Sequence, residues 1–220
     1  MKKMSKQRRK QVTNGLKWVT HAAAILPLLW LFYQWWSWNY LSYPDWNNYV
    51  TRFTGKGGII LIILMLAVTP LKTLTNWNVI VPLRKWFGLY AFGYVSVHLL
   101  IFVVPLFEES FGLALDEVLR KRYALVGFAA WLIMVPLAIT SNKWSQKRLK
   151  KRWKRLHQSV YVVSILALIH YFWLVKVGAY RSPAIAAAFI IPLLILRFPT
   201  IRKRIIQLRK NVTKRKRAAV

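Results

Sequence analysis

Apolar residues along this chain come in blocks of about 17 to 22 rather than at amphipathic spacing, long enough to cross the roughly 30 Å hydrocarbon layer as helices. Six blocks stand out, at 16–36, 57–74, 86–107, 123–140, 157–175 and 182–198, joined by short polar connections. The pattern predicts an all-α integral membrane protein, a bundle of six transmembrane helices. Of the connections, 37–56 is rich in Trp, Tyr and Asn, which suits an interfacial or docking segment, and 108–122 has enough apolar character for a short interfacial helix. Basic residues precede the first block, as in a secretory signal. Its length, its bulky end at Trp35 and Trp36 and the lack of a small-x-small cleavage pattern predict a retained span.

Prolines fall in or near the spans at Pro27, Pro70, Pro105, Pro136 and Pro192, and membrane helices tolerate such kinks where neighbours satisfy the freed carbonyls. Gly57, Gly58, Gly88, Gly93 and Gly127 offer close-packing positions. Trp and Tyr near span ends, Tyr123 among them, read as interface anchors.

Composition supports the membrane reading: 56% of the 220 residues are hydrophobic and only 18% charged, below the quarter or so usual in soluble domains. The absence of Cys excludes disulfides, thiolate metal sites and thiol catalysis, so redox chemistry would need another carrier. A formal charge of +30 raises the question of nucleic acid, which its distribution answers. About four-fifths of the Lys and Arg lie on alternate flanks of the spans, and the positive-inside rule then places both termini in the cytoplasm. All five acids (Asp45, Glu108, Glu109, Asp116 and Glu117) lie in the two loops on the opposite side. The surplus is thus an orientation signal with some attraction to membrane lipids, and no nucleic-acid partner is expected. The expected organisation is a basic cytoplasmic N-terminus (1–15), a membrane domain (16–198) and a basic cytoplasmic tail (199–220) that is mobile from Arg202.

The chemistry within the spans reduces to four histidines, His21, His98, His157 and His170, with no intramembrane carboxylate. An ionisable residue at membrane depth is costly and marks function by default. His98 lies thirteen residues after Lys85 and His170 fifteen after Arg155, so both sit roughly 20 Å along parallel helices and can meet at one level. His157 lies near the inner surface, roughly 20 Å from His170 and about 140° around an ideal helix from it. His21 lies at about the depth of His157. Two neutral imidazoles from different helices suit the axial positions of an iron porphyrin, with Ala91, Ser164 and Ala167 leaving room for the ring. Interhelical hydrogen bonding is the plain alternative for His21, His98 and His170. A small carrier or channel is the rival function, and the shortage of intramembrane acids weighs against it.

The stretches LRKWFGLYAFGYVSVHLLIF, VGFAAWLIMVPLAITS and KRWKRLHQSVYVVSILALIHYFWLVK, with LKWVTHAAAILPLLWL near the start and VTPLK after span two, resemble the MsrQ family. These are haem-binding membrane subunits of bacterial periplasmic protein-methionine-sulfoxide reductase systems, and the likeness covers roughly residues 12 to 200. The family is similar to the transmembrane domain of ferric reductases and NADPH oxidases, where histidines on the third and fifth spans stack two haems across the bilayer. The resemblance implies one or two haem b groups, His98, His157 and His170 as metal ligands, and a bacterial inner-membrane location.

It also implies electron transfer outward to MsrP, the periplasmic molybdopterin subunit that reduces methionine sulfoxide, with no substrate bond made or broken by this chain. Electrons would come from a quinone or a separate flavin reductase, because only about twenty residues, rich in Lys and Arg, follow span six. The sequence departs from the larger superfamily in having one histidine in span three: opposite His157 fall Trp86, Phe87 and Gly88. His157 is left with several roles, ligating a second haem with His21 or water, or contacting a flavin or quinone. Arg84, Lys85 and Arg155 could pair with propionates or a flavin phosphate. FMN is implied by the resemblance alone.

Overall fold

The computed structural model describes residues 5–43, 45–176 and 178–218, and the expectations for Pro105, Glu108, Glu109 and Glu117 fall on side chains outside that description. Ten helices are formed among these residues: α1 (Lys6–Trp36), α2 (Trp46–Thr75), α3 (Leu83–Glu109), α4 (Phe111–Arg120), α5 (Arg122–Ile139), α6 (Lys143–Leu149), α7 (Lys151–Leu156), α8 (Val160–Leu174), α9 (Arg181–Ile195) and α10 (Pro199–Ala218). No strand is present among the described residues. Five segments are long and apolar enough to cross a membrane. The sixth, α9, meets that test only together with Pro199–Arg209 of α10, from which it is bent by 77°.

Two features depart from the sequence reading. The helix α2 begins at Trp46, eleven residues before the apolar block, because Asp45 caps it: its carboxylate accepts from the Asn48 N–H at 3.0 Å. The basic tail is helical, and Arg209 on it donates to the Thr73 carbonyl at the end of α2 (2.7 Å). The N-terminal basic segment is likewise continuous with the first span, since α1 starts at Lys6 behind a Ser5 cap. A short interfacial helix was expected in 108–122, and α4 occupies it.

The core lies where α2, α3, α5, α8 and α9 meet, with Leu66, Ala91, Ser164 and Ile190 fully enclosed. Large apolar side chains such as Ile60, Leu100, Leu132 and Ile185 remain exposed, as lipid rather than water surrounds the bundle. Close packing of α2 on α3 uses two of the anticipated glycines, Gly57 against the Tyr94 ring and Gly58 against Val95. Gly88 lies against the Met65 sulfur and Gly127 against His170, whereas nothing approaches Gly93. Beyond Gly57, the Tyr94 hydroxyl donates to the Ala24 carbonyl of α1, three residues before Pro27 (2.8 Å).

Proline at position 70 removes the N–H that would have bonded the Leu66 carbonyl. Arg197, between α9 and α10, donates to that carbonyl at 2.7 Å and to the Met65 carbonyl at 3.4 Å, while its other terminal nitrogen donates to the Tyr161 hydroxyl at 2.9 Å. An orphan carbonyl at membrane depth costs energy comparable to a lost hydrogen bond in hydrocarbon, so a guanidinium with several donors is an effective plug. It ties α2, α8 and the end of α9 together. Arg197→Met should lower stability by roughly 2 kcal/mol, measured as the thermal unfolding midpoint in detergent. The loss should shrink in a Pro70→Ala background, where position 70 regains its N–H.

Candidate functional site

His98 on α3 and His170 on α8 are brought face to edge, with ring centres 6.0 Å apart and planes at 88°. Each imidazole is held by a backbone carbonyl of the helix that precedes its own in the bundle. His98 Nδ1 lies 2.9 Å from the Thr51 carbonyl of α2, and His170 Nδ1 lies 2.7 Å from the Tyr123 carbonyl of α5. Because a carbonyl only accepts, Nδ1 must carry the proton in both rings. Their Nε2 atoms are therefore the lone-pair nitrogens, the form in which imidazole binds a metal.

Packing between α3 and α5 sets the two hairpins, α2–α3 and α5–α8, against each other. Trp131 on α5 donates from Nε1 to the Ser96 hydroxyl on α3 at 2.9 Å, and its ring stacks with Phe92 and Phe128. Ser96 precedes His98 by two residues, so this bond fixes the segment that carries the ligand-type side chain. Of the small residues expected to leave room, Ala91 lines a cavity nearer the basic end, and Ser164 is fully buried with its hydroxyl bonded to the Val160 carbonyl of its own helix.

His157 lies apart from this pair. It caps α7, where the chain tightens into i→i+3 turns at Gln158 and Ser159 before α8 begins, so the ideal-helix rotation from His157 to His170 does not apply. Its ring stacks on Trp153 with centres 4.0 Å apart. The Thr140 hydroxyl donates its single proton to the Pro136 carbonyl (2.6 Å) and can only accept from His157 Nε2 at 3.0 Å. His157 is therefore the Nε2-protonated tautomer, opposite to the other two.

A cavity of about 410 Å³ opens beside it, lined by Arg84, Lys85, Lys154, Trp153, His157 and Tyr161 together with apolar side chains, and by no acid. Arg84 and Lys85 thus line the same cavity as His157. Arg155 is not among the lining residues; Lys154 takes that position. His21 faces a different neighbourhood: its Nδ1 lies 2.7 Å from the Tyr90 hydroxyl and its ring packs on Trp86, 4.5 Å between centres. No group of three or more His, Cys, Asp or Glu gathers in metal-binding fashion among the described residues.

Comparison with known proteins fits this arrangement. The family described as ferric reductase-like transmembrane component matches residues 20–168. The protein-methionine-sulfoxide reductase heme-binding subunit MsrQ of Xanthomonas axonopodis pv. citri is 38% identical over 182 residues, 81% of this chain and 83% of that protein. The chain belongs to the MsrQ family. The MsrQ of Cronobacter sakazakii is 35% identical over 195 residues, covering 88% of this chain and 96% of that protein. No solved structure matches the chain. The family range contains His21, His98 and His157, and His170 lies two residues past its end.

What the sequence reading missed were the partners of the histidines, because backbone carbonyls leave no mark in a sequence. Tyr123 was an interface anchor there, yet both its carbonyl and its ring, 6.2 Å between centres, meet His170. In metal-free protein with ¹⁵N-labelled histidine, solid-state NMR should resolve Nδ1–H tautomers at His98 and His170 and an Nε2–H tautomer at His157. One common tautomer at all three would contradict the assignment.

Proposed function

We propose that this chain is a haem b membrane electron-transfer subunit, in which His98 and His170 are the residues that would hold the haem iron. The observation that carries the reading is the separation of the rings. Two imidazoles on one metal, with bonds of about 2.0 Å and ring centres roughly 1.1 Å beyond the nitrogens, stand about 6 Å apart centre to centre. The rings here are 6.0 Å apart, and each has its Nδ1 already bonded to a carbonyl. The names of the relatives, heme-binding subunits of a protein-methionine-sulfoxide reductase, support the same assignment. Bound there, haem b would supply a reversible one-electron centre. The residues of the chain hold the imidazoles in one tautomer and raise their basicity through the carbonyl bonds.

The inner cavity is the second station of this reading. Arg84, Lys85 and Lys154 suit the acidic groups of a flat electron carrier, the propionates of a second haem or the phosphate of FMN, and the Trp153 and Tyr161 rings suit its plane. A quinone would use the same ring contacts without the charges. Ligation of a metal through His157 Nε2 would require that nitrogen to give up its bond to Thr140. His21, held by Tyr90 and Trp86, is assigned no ligand role.

In this account both termini face the cytoplasm, and the chain lies in the bacterial inner membrane. Electrons from a quinone or flavin reductase enter at the basic face and leave near His98 and His170 to the periplasmic MsrP, which supports repair of oxidised methionine. Purified protein should show a Soret band. His98→Ala and His170→Ala should each reduce the haem retained by roughly tenfold or more. Unchanged retention in both variants would contradict the pairing. For His157→Ala, the haem-to-protein ratio separates the occupants: it falls by half if a second haem sits in the cavity, and holds if a flavin or quinone does.

A further inference from the structure

Both outer imidazoles rest edge-on against a glycine of the neighbouring helix. A Cβ placed on Gly55 would lie 3.1 Å from both Nδ1 and Cε1 of His98, and one on Gly127 would lie 2.6 Å from Nδ1 and 2.9 Å from Cε1 of His170. The carbonyl bonded to each Nδ1 belongs to the residue four positions before that glycine, Thr51 before Gly55 and Tyr123 before Gly127. In an α-helix, that carbonyl already accepts from the glycine's own N–H. A second donor from outside the helix must pass over the glycine to reach it, along the path that a Cβ would occupy.

The arrangement occurs twice with one spacing, since 47 residues separate the carbonyl from its histidine in each hairpin. We propose that Gly55 and Gly127 are positioning residues of the outer pair. Lacking a Cβ, each admits the Nδ1 edge of one imidazole to the backbone, which fixes the tautomer and leaves Nε2 on the edge turned away from the glycine. The two seats make the α2–α3 and α5–α8 hairpins equivalent halves of one site. The role differs from plain helix packing, for which Gly57 is the comparison: there the neighbour is the Tyr94 ring, whose hydroxyl bonds α1 instead.

The inference deepens the haem reading, and two measurements on the full-length chain keep them separable. Haem titration of the metal-free protein should show affinity lowered about tenfold or more in Gly127→Ala, as for loss of a group that orients a ligand, and by less in Gly55→Ala, where the contact is looser. Thermal unfolding of the haem-free protein then tests the coupling. Gly127→Ala should lower the midpoint when His170 is present and leave it nearly unchanged in a His170→Ala background, with Gly55→Ala and His98 behaving alike. Gly57→Ala should cost the same with His98 or with His98→Ala.

Equal losses in both backgrounds for Gly55→Ala and Gly127→Ala would overturn the proposal and reduce both glycines to packing. If Gly127→Ala does not accumulate, the Gly55 cycle decides alone. A wild-type chain that takes up no haem but shows the coupling would remove the haem reading and leave the seats in place.

Discussion

An imidazole placed among lipid-facing helices must find a partner for its N–H, and for His98 and His170 that partner is a backbone carbonyl of the preceding span. Everything else at the outer site depends on this bond. It selects the tautomer of His98 and His170 and leaves their Nε2 lone pairs unused, with the two rings 6.0 Å apart centre to centre. A side-chain acceptor could have done the same work, but a carboxylate at this depth would carry a heavy desolvation cost. The backbone supplies a fixed dipole without adding charge.

The same economy governs the basic end of the bundle. Pro70 frees a carbonyl, and Arg197 donates to it while reaching Tyr161 on α8, so a missing hydrogen bond in one helix becomes a joint between three. Beside this joint lies the cavity with Arg84, Lys85 and Lys154, where positive charge is concentrated without a lining acid. Such a site favours a carrier with acidic groups. The opposite tautomers of His157 and the outer pair follow from their partners: a hydroxyl whose proton is already committed in one case, carbonyls in the other.

The spans were legible because membrane helices are long, uninterrupted and apolar, and 86–107 and 123–140 agree with α3 and α5 to within a few residues. The meeting of His98 and His170 was legible too, from counting residues inward from Lys85 and Arg155. Less visible was the start of α2: Asn47, Asn48, Thr51 and Arg52 are polar, so hydropathy assigns them to a loop, yet the Thr51 carbonyl holds His98. The position of Arg155 failed for a rotational reason, since one residue along a helix turns the side chain by about 100° and Lys154 faces the cavity instead. No repeat was evident in the sequence because the duplicated feature consists of one glycine, one backbone carbonyl and one histidine per hairpin.

Electron transfer through this chain depends, in the proposed function, on His98 and His170 ligating one iron. Electron paramagnetic resonance of the ferric protein, with ¹⁵N-histidine labelling to read nitrogen couplings, tests this most directly. Two histidine nitrogens coupled to one low-spin iron are the predicted result. A high-spin iron coupled to one histidine nitrogen, or a low-spin signal that persists when both His98 and His170 are replaced, would contradict it.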